Sequence, residues 1–192
     1  MNHLIIFSHP NPSSFNGSIA DAVEAVSSAM GHDTLRRDLY GMGFNPVLGR
    51  VELDAPAHMR AQDVRQEQEF VSWADILTFV YPVWWTGMPA MLKGYFDRVF
   101  SQDFAYALHD TMMTGLLTGK KALVFSTTGL PSTLCTSRGM HEAMALTTDT
   151  GMFELCGIEV LNHAFFGSVA SVSEEVRKSY LSEVVAIASR FL

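Results

Sequence analysis

The run Ile76-Leu77-Thr78-Phe79-Val80 constrains the fold more than any other stretch of this chain. It lacks the polar–apolar alternation of a strand with one wet face. It reads instead as a strand buried on both sides, the kind that parallel sheets hold between two layers of helices. A helix follows: Pro89 suits a first helical position, where the missing N–H is not needed. Leu92, Tyr95, Phe96 and Val99 then fall at i, i+3, i+4 and i+7, one helical stripe, with Lys93 and Asp97 paired outside it. Between strand and helix lies Tyr81-Pro82-Val83-Trp84-Trp85-Thr86-Gly87-Met88, at a strand's carboxyl end, where open α/β sheets bind ligands. A loop so apolar is either a plug over the strand ends or a wall for a flat aromatic ligand. The loop by itself does not choose.

The rest of the chain repeats this alternation. His3–Phe7 reads as a first buried strand, Ser8–Gly17 as a polar turn, and Ile19, Val23, Val26 and Met30 as one face of a helix. Strand, polar turn and helix make a phosphate-binding context, because the first amides of a helix are unpaired donors. No G-x-G-x-x-G follows the strand, which argues against a dinucleotide grip of that kind. Ser14 and Asn16 offer donors to a phosphate, but taken alone this turn reads as ordinary helix capping. Thr34–Leu39 suits a second, less buried strand, and Tyr40–Ala61, with Gly41, Gly43, Pro46, Gly49 and Pro56, an irregular segment of functional or interface length. A helix with Val64, Phe70, Val71 and Trp73 leads into the central strand.

Phe104–His109 reads as a loop carrying aromatics. Gly115-Leu116-Leu117-Thr118-Gly119-Lys120-Lys121 imitates a P-loop but has the wrong spacing, a lysine where Ser or Thr belongs, and its strand on the wrong side. Ala122–Ser126 is the fourth strand and opens into the hydroxyl-rich Thr127–Ser132. His141 lies beyond it, in a segment where a histidine is more often structural than catalytic. Ile158–Leu161 begins a fifth strand running toward Phe166; Ser171 and Glu174 match a capping box, and Val176, Tyr180, Val184, Ile187 and Phe191 line a closing helix. The expected fold is α/β: one domain over residues 1–192, a doubly wound five-stranded parallel sheet with helices on both faces. Three loops then converge on one end: 8–17 with a phosphate site, 81–89 with aromatic walls, 126–132 with hydrogen-bond donors.

Composition limits the partners. A formal net charge of −7 argues against nucleic acid and anionic membrane surfaces, which reward basic proteins. No run approaches the roughly 18 apolar residues of a membrane span, and the first residues show neither a basic region nor a cleavage pattern, so a cytoplasmic protein is expected. Cys135 and Cys156 are far apart, and the seven histidines show no ligand spacing, so neither a disulfide nor a metal is expected.

Taken together, Ser8-His9 with Ser14-Phe15-Asn16, Asp38-Leu39-Tyr40 with Phe44-Asn45-Pro46, Pro82-Val83-Trp84-Trp85-Thr86-Gly87-Met88-Pro89, Leu92-Lys93-Gly94, Arg98-Val99-Phe100, Phe104-Ala105-Tyr106, Thr127-Thr128-Gly129 and Gly139-Met140-His141 carry a resemblance. In order and spacing the chain resembles the flavodoxin-like NAD(P)H:quinone oxidoreductases, over nearly its whole length. That group includes mammalian quinone reductase, modulator of drug activity B and the flavoprotein partners of potassium efflux systems. The resemblance implies a non-covalent FAD or FMN, NAD(P)H as co-substrate, a quinone-like acceptor reduced by ping-pong hydride transfer, and a homodimer with sites between subunits. It assigns His9, Ser14, Phe15 and Asn16 to the flavin phosphates, Pro82, Val83, Trp84 and Trp85 to the ring, and Thr127, Thr128 and Gly129 to its polar edge. His141 matches the histidine at the N1/O2 edge, and Thr86, Phe104, Tyr106 and Cys135 fall on the substrate side. Cys135 stands where the family has a tyrosine, and a thiol is a weak donor; Thr86 and Leu108 replace pocket aromatics. Two other functions are therefore weighed: a flavin-bearing regulatory subunit of a potassium-efflux or other transporter, and a one-electron carrier. The loops at 40–61 and 104–109, which look built to enclose a substrate, argue against the carrier.

Overall fold

The computed structural model describes residues 1–56, 59–110 and 112–192. Five parallel strands, β1 (Asn2–Phe7), β2 (Asp33–Asp38), β3 (Ile76–Pro82), β6 (Lys121–Thr127) and β7 (Glu159–Phe166), form a sheet in the order β2-β1-β3-β6-β7. The strand predicted to be buried on both faces lies at its centre, and all seven residues of β3 are buried. Successive side chains of a strand point to opposite faces, and the two cores follow that rule. Leu4 and Ile6 of β1, Leu77 and Phe79 of β3, and Ala122 and Val124 of β6 pack on one face with Leu92, Tyr95, Phe96 and Val99. Those four come from α4 (Ala90–Val99), as the stripe predicted. Ile5, Phe7, Ile76, Val80, Leu123 and Phe125 pack on the other face. Their partners are Ile19, Ala20 and Val23 of α1 (Phe15–Ala29) and Val184 and Ala188 of α7 (Glu174–Phe191).

Three local expectations change. Tyr106–His109, expected in a loop, is strand β4, paired antiparallel with β5 (Met112–Gly115) as a separate ribbon. The closing helix is capped by Ser173, whose side chain accepts from the Val176 amide, and not by Ser171. Ser171 instead donates its hydroxyl to the Ser168 carbonyl, and this turn delays the helix by two residues. The segment 40–61 includes a short helix, α2 (Arg50–Leu53), tied by Glu52 to Arg98 of α4. Helix α3 (Gln62–Trp73) follows it. After β6 come α5 (Ser132–Ser137), α6 (Met140–Ala145) and a π-helical stretch, Leu146–Phe153. No helix of the described residues is long and apolar enough to cross a membrane.

Candidate active site

The carboxyl ends of β1, β3 and β6 are adjacent because their register is continuous: Phe7 lies opposite Val80, and Pro82 opposite Thr127. The three loops that leave these strands therefore start side by side. In the first, Ser14 is the N-cap of α1, its oxygen accepting from the Gly17 amide at 3.2 Å. The capping reading holds, and it does not exclude a ligand, since the hydroxyl hydrogen remains free. The turn is tight: a Cβ added at Gly17 would meet the Pro12 carbonyl oxygen at 1.9 Å, so only glycine allows it. The first turn of α1 carries no acidic residue, which leaves the positive end of the helix dipole uncompensated and suited to an anion. The Asn11 amide donates to Nδ1 of His9 at 3.0 Å, so Nε2 is the nitrogen left to reach a ligand.

Asn16 crosses to the third loop, its Nδ2 donating to Thr127 Oγ1 at 2.9 Å in a buried contact. Thr127 and Thr128 are both buried. The Thr127 carbonyl takes the Val83 amide at 2.7 Å, and Thr128 donates its hydroxyl to the Leu130 carbonyl. Gly129 is exposed, and a Cβ there would meet no protein atom within 4 Å, so open space borders this loop.

The tryptophan loop answers the question its sequence left open. Trp84 and Gly87 exchange backbone hydrogen bonds, and the residues between them, Trp85 and Thr86, have φ of 54° and 56°. Two consecutive left-handed residues make a type I′ turn, which ordinarily takes Asn or Gly; other side chains there cost of order 1–3 kcal/mol each. The cost holds Trp85 wholly in the open, at 102% relative exposure, with Trp84 at 44%. A plug would bury its tryptophans, so the plug reading fails. Strain that exposes an indole points to something that the indole meets.

His141, at the start of α6, is half-buried, with Nδ1 3.1 Å from Thr136 Oγ1. Burial pulls its pKa below the ordinary 6.5, with Glu142 opposing and His163 reinforcing the shift. Its Nε2 is buried without a partner, as are Ser8 Oγ and Asn16 Oδ1. Unpaired polar atoms are rare in protein interiors; Ser8 follows β1, Asn16 is bonded to the end of β6 and His141 is stacked on Phe165 near the end of β7, so the three fit a polar ligand at the carboxyl end of the sheet.

The substrate-side residues do not share one place. Tyr106 lines a cleft of about 600 Å³ with Lys93, Phe96, Phe100, Met152 and Leu155, and neither tryptophan nor residues 127–129 line it. Phe104 packs against the core beside it. Cys135 is buried in α5 and turns no thiol outward. Sequence reading placed Ser8 in the first loop without giving it a role, and it missed His163, whose ring lies 2.8 Å from Asp149 and 2.9 Å from Ser126. The signal available for His163 was an imidazole beside Asn162 in a strand that ends Ala164-Phe165-Phe166.

Comparison with known proteins gives the family. The chain is 40% identical over 183 residues to an uncharacterised NAD(P)H oxidoreductase of Haemophilus influenzae, covering 94% of this chain and 91% of that one. It is 32% identical over 200 residues to human ribosyldihydronicotinamide dehydrogenase [quinone], covering 93% and 87%. The structure of an NAD(P)H:quinone oxidoreductase from Methanothermobacter marburgensis superposes with a TM-score of 0.88 at 26% identity, covering 100% and 99%. Residues 1–188 match the Flavodoxin_2 family, described by its flavodoxin-like fold, and the chain belongs to that family.

Proposed function

We propose that the protein is a flavin-dependent NAD(P)H:quinone-type oxidoreductase that carries two electrons as hydride, donor and acceptor using one pocket in turn. The observation that carries this reading is the convergence of an uncompensated helix start, an exposed indole held at a backbone cost, and an unpartnered histidine nitrogen at the carboxyl end of the sheet. Each part suits a different portion of FAD or FMN. The amides of Phe15 and Asn16, which the cap leaves free, bind phosphate together with the side chains of His9, Ser14 and Asn16. Pro82, Val83, Trp84 and Trp85 lie along the ring system, and Thr127, Thr128 and Gly129 bound its polar edge. The bound flavin supplies a centre that accepts a hydride and gives it up again. The chain's part is to orient the flat partners, exclude water and stabilise charge. His141 would do the last: with the Thr136 hydroxyl donating to Nδ1, the unpartnered Nε2 would carry the hydrogen and serve as a preorganised donor to negative charge gained by the flavin. Burial keeps the ring neutral at pH 7, so it donates without bringing a full charge. The relatives' names support the donor and acceptor classes.

The protein as purified is expected to be yellow and to release FAD or FMN on denaturation. It is expected to oxidise NADH or NADPH once per flavin on its own, and to turn over rapidly when a quinone or similar planar acceptor is present. A colourless protein that takes up neither flavin on reconstitution defeats the reading.

The second part of the proposal is a homodimer. Tyr106 lines a cleft that neither tryptophan lines, and a pocket holding both would be completed by a second copy. Thr86 would face it from one subunit, and Phe104 and Tyr106 from the other. The cleft beside Tyr106 is rimmed by Leu53, Met113 and Leu155, and Val51 and Met112 are more exposed still. Apolar exposure on that scale marks a protein contact. Light scattering at micromolar concentration is expected to give twice the chain mass; a monomer with flavin bound overturns the dimer.

A further inference from the structure

A buried polar chain runs beneath the loop ends, and the chemistry above does not use it. Asp149 Oδ1 is 2.8 Å from His163 Nδ1, and His163 Nε2 is 2.9 Å from Ser126 Oγ. A carboxylate only accepts, so Nδ1 carries a hydrogen, and the Ser126 hydroxyl meets the other ring nitrogen, Nε2. The His163 side chain is 4% exposed and Ser126 fully buried. Asp149 reaches the strand because Leu146–Phe153 winds as a π-helix, a form concentrated at functional sites. Thr148, in the same turn, is buried too. With Ser126 it faces the phenol of Tyr81, whose pKa burial pushes up to about 12.

Carboxylate, imidazole and hydroxyl stand in the order of a nucleophilic triad. Ser126 is sealed inside the sheet, however, and no acyl group can reach it. The chain leads elsewhere. His163 and Phe165 are two residues apart on β7 and so share a face. Their ring centroids are 4.0 Å apart with planes at 23°, and Phe165 is stacked at 4.4 Å and 15° on His141. Two rings cannot both stack on one face at these distances, so Phe165 is sandwiched between the two imidazoles. Beyond this stack, His141 has one polar tether, the Thr136 hydroxyl. The titratable groups that act on it are Glu142 on its own helix and His163 across the ring, with Asp149 behind His163.

We propose that His163 is a positioning residue for His141: clamped between Asp149 and Ser126, it fixes the plane of Phe165 and, through it, the plane and charge state of His141. Asp149 and Ser126 leave the His163 ring one orientation. Phe165 transmits that orientation, and a second positive charge on His141 is opposed by charge on His163. The proposal rests on His141 acting as the donor at the flavin edge.

The test uses the purified flavoprotein and two variants. His163→Gln keeps a polar partner for Ser126 but has neither ring nor charge; Phe165→Leu keeps bulk but removes the flat face and leaves the Asp149–His163–Ser126 chain intact. In His163→Gln the His141 ring, followed by NMR, is expected to titrate about half a unit to one unit higher. That is the scale of a unit charge removed at about 8 Å in an effective dielectric between protein and water. The acid limb of flavin reduction by NADH is expected to move with it. In Phe165→Leu, reduction is expected to slow about tenfold with flavin content unchanged, the scale on which outer partners of a functional histidine act. A His141 titration and acid limb in His163→Gln that superimpose on wild type overturn the proposal. Should that variant not fold, an unchanged reduction rate in Phe165→Leu overturns it equally. If the titration shift is present while His141→Ala reduces at the wild-type rate, the positioning stands and the role given to His141 falls.

Discussion

His141→Ala is expected to slow reduction of the bound flavin by about 10²–10³-fold, the usual loss when one preorganised donor is removed, while flavin content stays near wild type. The separation of rate from binding follows from where the contacts are. The residues proposed for the phosphate and the ring, 9–17, 82–85 and 127–129, are separate in sequence from His141, so flavin retention is not expected to depend on its imidazole. The donor acts only as charge develops, so its loss appears in the hydride step. The sign of the pH effect is fixed by the lowered pKa of His141. Above that pKa the ring is a neutral donor; as pH falls through it, the ring gains a proton and the profile of wild type should bend where that of His141→Ala does not. Cys135→Ala is expected to cost little in rate, because the thiol is buried and a weak donor in any case. A packing role for His141 forecasts the reverse: a lower melting temperature with an unchanged rate. Stopped-flow reduction by NADH and NADPH, run beside melting curves, separates the two, and an unchanged rate in His141→Ala removes it from the mechanism.

What could be read from the sequence was whatever depends on burial period and chain order. The central strand and α4 were legible because one shows no alternation and the other a full helical stripe, and both patterns come directly from being covered by the rest of the fold. The three loops were legible because a parallel sheet brings its strand ends together whatever the loops contain. The β4–β5 ribbon was not, because Leu108, His109, Met112 and Met113 are exposed and no apolar face announces it. Ser171 misled because its spacing to Glu174 fits a capping box, whereas the turn at Ser168, with φ of 55°, takes its hydroxyl first. The Asp149–His163–Ser126 chain was the least legible part. It depends on a register shift at Ala122/Leu123 that sets Val124 opposite His163, and on a π-helix that no local propensity signals. Trp85 is a case between these. Its loop was recognised as special, but its exposure is decided by two left-handed backbone residues that its composition disfavours.

Arg98→Ala is expected to destabilise the fold by about 3–5 kcal/mol, the cost of removing one partner from a buried ionic cluster. Arg98 projects from α4 with its side chain 4% exposed. Its guanidinium donates to Glu52 at 3.0 Å, to Asp63 at 2.7 Å and to the Asn45 carbonyl at 2.7 Å, and it lies 5.1 Å over the ring of Phe44. These partners bracket the irregular segment 40–61, which has little regular structure of its own, and join it to α3 and α4. Without the guanidinium, Glu52 keeps a nearly buried charge and Asn45 an unmet carbonyl, while Asp63, partly exposed, recovers water. Those two groups set the size of the loss. For a chain of this length the melting temperature is expected to fall by roughly 10 °C. Arg98→Lys should recover only part, since an ammonium cannot reproduce the planar fork that serves three acceptors. Acid provides an independent check. The hydrogen bond from Arg98 holds the Asp63 carboxyl below its ordinary value. Its contribution is therefore complete above the unfolded carboxylate pKa and is lost as pH falls through the lower folded value. The gap between wild type and Arg98→Ala should narrow over that acid range. The segment 40–61 also carries Leu48 and Leu53 into the cleft beside Tyr106, so the same variant is expected to weaken self-association. Melting curves for Arg98→Ala that match wild type at neutral pH would show that the segment is held by its apolar contacts alone.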